Sequence, residues 1–259
     1  MLVIYILVRM YEQIARYYDL VHAQLSEDIG FILTLAGRTV GPVLELGCGT
    51  GRVLLPLARA GHQVVGVDNS PAMLARAWQK LAPEVASGRV RLVEGNMTHF
   101  SLGEQSFGLV ILPYNTFMHL TPAGMDSTLK AIRRCLAPAG QLLIDLANPF
   151  ALAQTPNDRF LTLEHTLHDP ETGETVLVMA SNWLNSEEQA LKITWLYDAC
   201  DPARGPVRRT IAQATYHYLY PHELELKLAE NNLQLTHLYG HYNHSPFDED
   251  SPRLLVLAK

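Results

Sequence analysis

The apolar pattern of this chain has two rhythms, and it changes from one to the other near residue 160. In the first part, short continuous apolar runs alternate with stretches of helical period. Residues 10–22, "MYEQIARYYDLVH", carry apolar and aromatic side chains at helical spacing. "SEDIGFILTLAG" follows as a second helix, with Ser26 as its cap, acids in its first turn and Gly37 near its end. Val43–Leu46 then reads as a strand and 52–60 as a helix. "HQVVGVD" (62–68) is a strand, and Ser70 caps the helix "PAMLARAWQKLA", with Pro71 at its first position. "VRLVEG" (90–95) and "FGLVILP" (107–113) are strands. Thr121–Cys135 is a helix with Pro122 early in it, and "GQLLIDLAN" (140–148) is a fifth strand. Alternating strands and helices whose strands are almost wholly apolar predict an α/β parallel sheet covered on both faces. In such sheets ligands bind beyond the carboxyl ends of the strands, at the point where strand order reverses.

After residue 160 the helical period disappears. "FLTLEHTLHD", "ETVLVMASNWL", "ALKITWLYDA" and "VRRTIAQATYHYLY" predict an antiparallel sheet of about four strands, with "DPETGE" as the turn between the first two. In "LKITWLYD", Leu191, Ile193, Trp195 and Tyr197 fall on one face, Lys192 and Thr194 on the other. A helix at 221–231 follows, then two strands, 233–240 and 253–258, joined by the polar segment "HYNHSPFDEDSP". The expected organisation is a core over 1–150, an inserted sheet over 151–220, and a helix with two strands over 221–259 that completes the core. The apolar start, "MLVIYILV", is too short to span a bilayer. It reads as an extra strand or helix, or as a consequence of start-site choice.

Composition narrows the function classes. The net charge of −6 argues against the basic footprint that binding to a phosphate backbone needs. The three cysteines, Cys48, Cys135 and Cys200, are far apart and make no disulfide or zinc spacing, so a reducing, cytoplasmic setting is expected. His241 and His244, with Asp248, Glu249 and Asp250 nearby, read as a solvated loop rather than a metal set, and "HTLH" (165–168) is a weaker metal signal still.

The chemistry concentrates in "VLELGCGTGR", where a strand turns through Gly47, Gly49 and Gly51 into a helix. A dinucleotide loop, G-x-G-x-x-G, would need glycine at the position of Arg52. The spacing here is G-x-G-x-G, with Glu45 two residues ahead, which suits a ligand without a pyrophosphate. The stretch resembles motif I of the class I S-adenosylmethionine (SAM)-dependent methyltransferases. "VVGVDNSPAML", "LVEGNMTHF", "FGLVILPYNTFMHL" and "LAPAGQLLIDL" resemble the motifs that follow it in order, and the final helix and strands resemble the end of the same fold. The resemblance implies a Rossmann-like, seven-stranded, mostly parallel sheet and SAM as cofactor. The insertion resembles the substrate roof of bacterial small-molecule methyltransferases.

The resemblance also implies residue roles. Gly47, Cys48, Gly49, Gly51 and Arg52 form the cofactor loop, in which Cys48 is a small filler. Glu45 lies beneath the cofactor's amino group, and Asp68 accepts both ribose hydroxyls. Asn69 and Met73 pack near the adenosine. Asn96 stands where relatives often carry aspartate, so its carbonyl oxygen would accept from the adenine amino group, and Met97 flanks the ring. Leu112 and Pro113 offer a backbone carbonyl to the SAM ammonium. The N-terminal helix is a lid carrying Tyr11, Tyr17 and Tyr18, with Tyr11 and Tyr18 at the cofactor and Tyr18 also at the transferred methyl. Arg16 would meet a carboxylate of cofactor or substrate. His119, near Tyr114, Asn115 and Phe117 at the site's mouth, is a base or substrate ligand, or else a structural histidine. Trp183, Trp195, Tyr197, Tyr216 and Tyr218 line the substrate cavity or form the insert's own core.

The expectation is methyl transfer from SAM to N or O of a small-molecule acceptor by a monomer or homodimer, with neither nucleic acid nor membrane as partner. "LPYN" stands where nucleic-acid and protein amino-methylating enzymes carry "NPPY". The rivals are a protein or carbon methyltransferase, other chemistry on the same fold, a SAM- or partner-binding module without catalysis, and a dinucleotide-dependent dehydrogenase.

Overall fold

The computed structural model describes residues 2–102, 107–157, 159–201, 203 and 205–259, with the backbone alone for 2–9. Met1 lies outside the described residues. The chain starts with helix α1 (Leu2–Val21), so the apolar N-terminal segment extends the helix expected over 10–22. α2 (Glu27–Ala36) follows. Ser26 stands at its cap position but makes no side-chain capping bond, contrary to expectation.

Then come β1 (Val43–Leu46), α3 (Leu54–Arg59), β2 (Val64–Asp68), α4 (Pro71–Lys80), α5 (Ala82–Ala86) and β3 (Val90–Glu94). β4 (Phe107–Leu112), a 3-10 turn (Thr116–His119), α6 (Pro122–Cys135), β5 (Leu136–Ala147) and α7 (Pro149–Ala153) complete this half. α4 and α6 begin as the sequence predicts: Ser70 Oγ accepts from Met73 N–H at 3.4 Å, and Thr121 Oγ1 from Gly124 N–H at 3.2 Å. In each the proline after the cap occupies a position whose N–H has no helical partner. α5, the 3-10 turn and α7 are too short for a periodic signal.

The remaining strands are β6 (Thr162–His168), β7 (Thr175–Asn185), β8 (Ala190–Cys200) and β9 (Arg208–His217). Helix α8 (Pro221–Glu230) and strands β10 (Leu235–Tyr239) and β11 (Arg253–Ala258) end the chain. Two sheets result. The first has the order β10-β11-β5-β4-β1-β2-β3; β11 runs antiparallel to β5 and to β10, and the other pairs are parallel. β1 and β4, at its centre, are buried along their whole length. One face packs against α6 and α8 through Leu129, Ile132, Leu224 and Leu228, the other against α2, α3 and α4 through Ile32, Leu57 and Leu74.

The second sheet is the antiparallel meander β6-β7-β8-β9. Its inner face packs on α1: Met10, Ile14 and Tyr17 meet Val176, Val178, Tyr197 and Ala214, and Tyr17 stacks on Tyr197 at 4.9 Å with an interplanar angle of 7°. α1 therefore lies between the second sheet and the carboxyl ends of the first. Among the described residues no helix is long and apolar enough to cross a membrane.

Candidate active site

Strand order reverses between β1 and β4, and the loops after β1, β2 and β4 converge beyond that point. Gly47, Gly49 and Gly51 all have left-handed backbone, at φ 71°, 53° and 79°. A side chain at Gly47 would collide with Thr116, and one at Gly51 would come within 2.6 Å of Leu81. The first glycine lets the β4 loop approach, and the third lets α4 and its end pack against the turn. Gly49 is the open one: a Cβ there would meet only Met73 at 3.4 Å and Tyr18 at 3.9 Å, so its bare backbone faces a cleft.

The cleft is lined by Tyr11, Tyr18, Gly47, Gly49, Asp68, Asn69, Met73, Met97, Tyr114, Thr116 and His119. Nine of these were expected from sequence; Tyr114 was placed only at the mouth, and Thr116 was missed. Asp68, at the end of β2, accepts from Gly49 N–H at 2.8 Å and Ser70 N–H at 2.9 Å. It thus locks the glycine loop onto β2, while a carboxylate has lone pairs enough for further donors. Burial raises its pKa, and these backbone bonds oppose the rise.

Glu45 is buried beneath the loop, its Oε2 without a hydrogen-bond partner, and burial drives its pKa well above the usual carboxylate value. A buried acid lacking a donor costs free energy unless a cation or donor reaches it. The space left in the cleft is about 70 Å³. Ligand pockets usually measure roughly 300–1,000 Å³. Tyr11 and Tyr18, on α1, narrow this space from one side.

Several expected roles are corrected. Cys48 turns into the core above Gly66, where its Sγ leaves no room for a Cβ, and burial raises its thiol pKa; it packs as the expected filler but does not line the cleft. Gly51 also serves packing rather than the cleft. Arg52 donates to Asp28 from both terminal guanidinium nitrogens, Nη1 and Nη2, at 2.8 and 2.6 Å, and from Nη1 to Leu25 O at 3.2 Å, so it ties α2 to the loop. Asn96 Oδ1 already accepts from Thr98 N–H and Thr98 Oγ1, at 2.8 and 2.9 Å, which fills the carbonyl expected to face an adenine amino group. The Pro113 carbonyl is likewise taken by Thr116 N–H and Oγ1, and Leu112 is fully buried in β4. Arg16 pairs with Asp169 and Glu174, both at 3.0 Å, and clamps α1 to the β6–β7 turn.

The β4 loop carries backbone strain. Tyr114 and Asn115 are consecutive non-glycine residues in the left-handed region, at φ 46° and 69°. Such residues persist only where their surroundings hold them. Here Asp145 accepts from Tyr114 N–H at 3.1 Å and its carbonyl from Asn115 N–H at 2.8 Å. Asn115 Oδ1 accepts from Ala147 N–H and from Arg253, which also pairs with Asp145 and lies 4.9 Å above the Tyr114 ring. Asp145 and Arg253 gave no sequence signal, because 108 positions separate them. The loop presents His119, whose Nε2 meets the Tyr11 hydroxyl at 2.8 Å. Burial lowers the His119 pKa to about 4, so the ring is neutral at pH 7, and its Nδ1 has no hydrogen-bond partner.

A second chamber, about 260 Å³, shares the wall of Tyr11, Tyr18 and Tyr114 and extends beneath the second sheet. Trp195, Tyr197 and Tyr216 line it, as the substrate-roof reading expected. Trp183 instead lies on the sheet's outer face, 41% exposed, and Tyr218 is packed in the core of the first sheet. Phe117 is fully buried, and His244 packs against Phe31 and Tyr239.

Comparison with known proteins agrees with this geometry. A family described as "Methyltransferase domain" matches residues 43–140. The cypemycin N-terminal methyltransferase of a Streptomyces species is 27% identical over 93% of this chain and 94% of its own. A carboxy-S-adenosyl-L-methionine synthase of Citrobacter koseri is 32% identical over 56% of this chain and 58% of its own. The chain spans about half the length of several curated relatives that it matches. Among solved structures, the CcbJ methyltransferase of Streptomyces caelestis superposes with a TM-score of 0.77 at 25% identity, covering 90% of each chain. Residues 43–140 thus match a methyltransferase domain, and with its glycine loop, its Asp68 and its sheet order the chain is similar to class I SAM-dependent methyltransferases.

Proposed function

We propose that the protein transfers a methyl group from SAM to a nitrogen or oxygen of a small-molecule acceptor held in the second chamber. The observation that carries this reading is the pair of adjoining chambers, one built on the glycine loop and Asp68, the other beneath the second sheet, with Tyr11, Tyr18 and Tyr114 common to both. Asp68 would hold the ribose hydroxyls. Asn69, Met73 and Met97 would flank the nucleoside, and Glu45 would draw the amino group from below. SAM, when bound, supplies a methyl on a sulfonium, a leaving group that needs no activation by the protein. What remains for the chain is to hold the acceptor in line, dry and close.

Tyr18, one of three tyrosines on the shared wall, would touch both the methyl group and the acceptor. Tyr11 and His119 form a neutral, buried pair at the same wall. Burial raises the Tyr11 pKa well above its usual value, so the hydroxyl stays protonated and the His119 ring stays a neutral acceptor. If the acceptor carries a proton that must leave, this pair is the reachable recipient. If it does not, His119 positions Tyr11. The near-full-length match to an enzyme named for methylating an N-terminus supports nitrogen over oxygen. The test is to incubate the protein with SAM labelled on its methyl group and a panel of small amines and alcohols, following label transfer and S-adenosylhomocysteine release. Transfer to at least one class, lost in Asp68→Asn, supports the reading. Cofactor binding without transfer to any member favours a SAM-binding module.

A further inference from the structure

The second chamber contains one feature that the methyl-transfer reading does not use. Its walls are aromatic and aliphatic with two imidazoles, His22 and His165, and Glu164 is the sole carboxylate among its lining residues, which include no lysine or arginine. Glu164 reaches it through a break in strand pairing. Leu163 pairs with Met179 and His165 with Val178, so Glu164 is the unpaired extra residue of a β-bulge on the edge strand β6. A bulge bends its strand and re-aims side chains, and here Glu164 and His165 both line the chamber although they are neighbours in a strand. Regular alternation would send one of them to the opposite face.

Glu164 as a residue is exposed on the sheet edge, yet desolvation raises its pKa; the neighbouring His165 and a hydrogen bond with Trp195 oppose the rise. Tyr197 and Tyr216 both feel its charge. Aromatic faces attract cations, more strongly when desolvated. A carboxylate beside three rings, with His165 as its one charged neighbour and no lysine or arginine in the lining, is a receptor for positive charge.

We infer that Glu164 is a specificity-determining residue that draws a cationic nitrogen into the second chamber, so that the acceptor is an ammonium-bearing small molecule rather than a neutral alcohol or an acid. This inference rests on the methyl-transfer reading for the identity of the occupant as acceptor, but its test is separate from that reading. Choline and 3,3-dimethylbutan-1-ol have nearly the same shape and differ in charge. Titration calorimetry with each, on the wild type and on Glu164→Gln, reads the charge preference directly, and titration with S-adenosylhomocysteine reads the cofactor site in the same proteins. The expected result is choline binding to the wild type at least about tenfold tighter than the alcohol, a ratio that falls to within about threefold in Glu164→Gln, with S-adenosylhomocysteine affinity unchanged by the substitution. Equal binding of the two probes, binding of neither, or a preference that survives Glu164→Gln overturns the inference. Failure of S-adenosylhomocysteine to bind either protein is a failure of the methyl-transfer reading instead.

Discussion

Single residues in this site are constrained by backbone and by charge in different ways. Gly47→Ala has two costs, a left-handed φ of 71° for a residue with a Cβ and a collision with Thr116. It should destabilise the protein by about 1–3 kcal/mol in chemical denaturation; a neutral substitution would mean that the loop is looser than described. His119 makes a prediction in pH. Its pKa is lowered from 6.5 in the unfolded chain to about 4 in the fold, so between these values the unfolded chain binds more protons. The stability this depression confers is present above pH 6.5 and is lost as pH falls through 4; at the order-of-magnitude level it is roughly 3 kcal/mol. The stability gap between wild type and His119→Gln should therefore narrow from pH 7 to pH 5. A gap that stays constant would show that the His119 ring is not desolvated. Places in the cleft were legible where the local chain sets them, as with Asp68, Met73 and Met97, which line it. They were illegible where the partner is remote, as with Asp28 for Arg52 or Arg253 for Asp145. Nothing in "LPYNTF" discloses what holds Tyr114 in its strained conformation.

Elements carry the access to the site, and α1 is the decisive one. It is fixed on one side by Arg16 to Asp169 and Glu174 and by the Tyr17–Tyr197 stack. On the other, Asp19 accepts from Thr50 at 2.6 Å and from Lys80 at 2.8 Å. Arg16 is about a third exposed, so its ion pairs add little to global stability. Arg16→Ala should cost under about 1 kcal/mol overall while accelerating amide hydrogen exchange in residues 10–21. Unchanged exchange there would mean that the apolar contacts of α1 alone hold it closed. The apolar pattern marked α1, α2, α3, α4, α6 and α8, and it marked every strand; the ends were less clear. β5 begins at Leu136, four residues before the glycine that sequence took as its start, because "LAPAG" is extended without an alternating pattern. The bulge that delivers Glu164 left no trace in the alternation of "LTLEHTLH", since a bulge is a property of the pairing with β7 and not of β6 alone.

At the scale of the molecule, two sheets with different grammars make one site. The first opens a cleft at its switch point, and the second, packed on α1, encloses the adjoining chamber. The motif order was enough to foresee the first sheet, because each motif lies at the end of its own strand. The second sheet's place over α1 had to come from tertiary packing, which sequence spacing does not encode. The central claim is that the glycine loop, Asp68 and α1 together form a SAM site. The most direct test is calorimetric titration with S-adenosylhomocysteine, and separately with NAD, of the wild type and of Asp68→Asn. The account predicts one-to-one binding of the first ligand only, a melting point raised in proportion to about 2.7 kcal/mol at 100 times the dissociation constant, and loss of both effects in Asp68→Asn. Binding of NAD, binding of neither, or undiminished S-adenosylhomocysteine affinity in Asp68→Asn would contradict it.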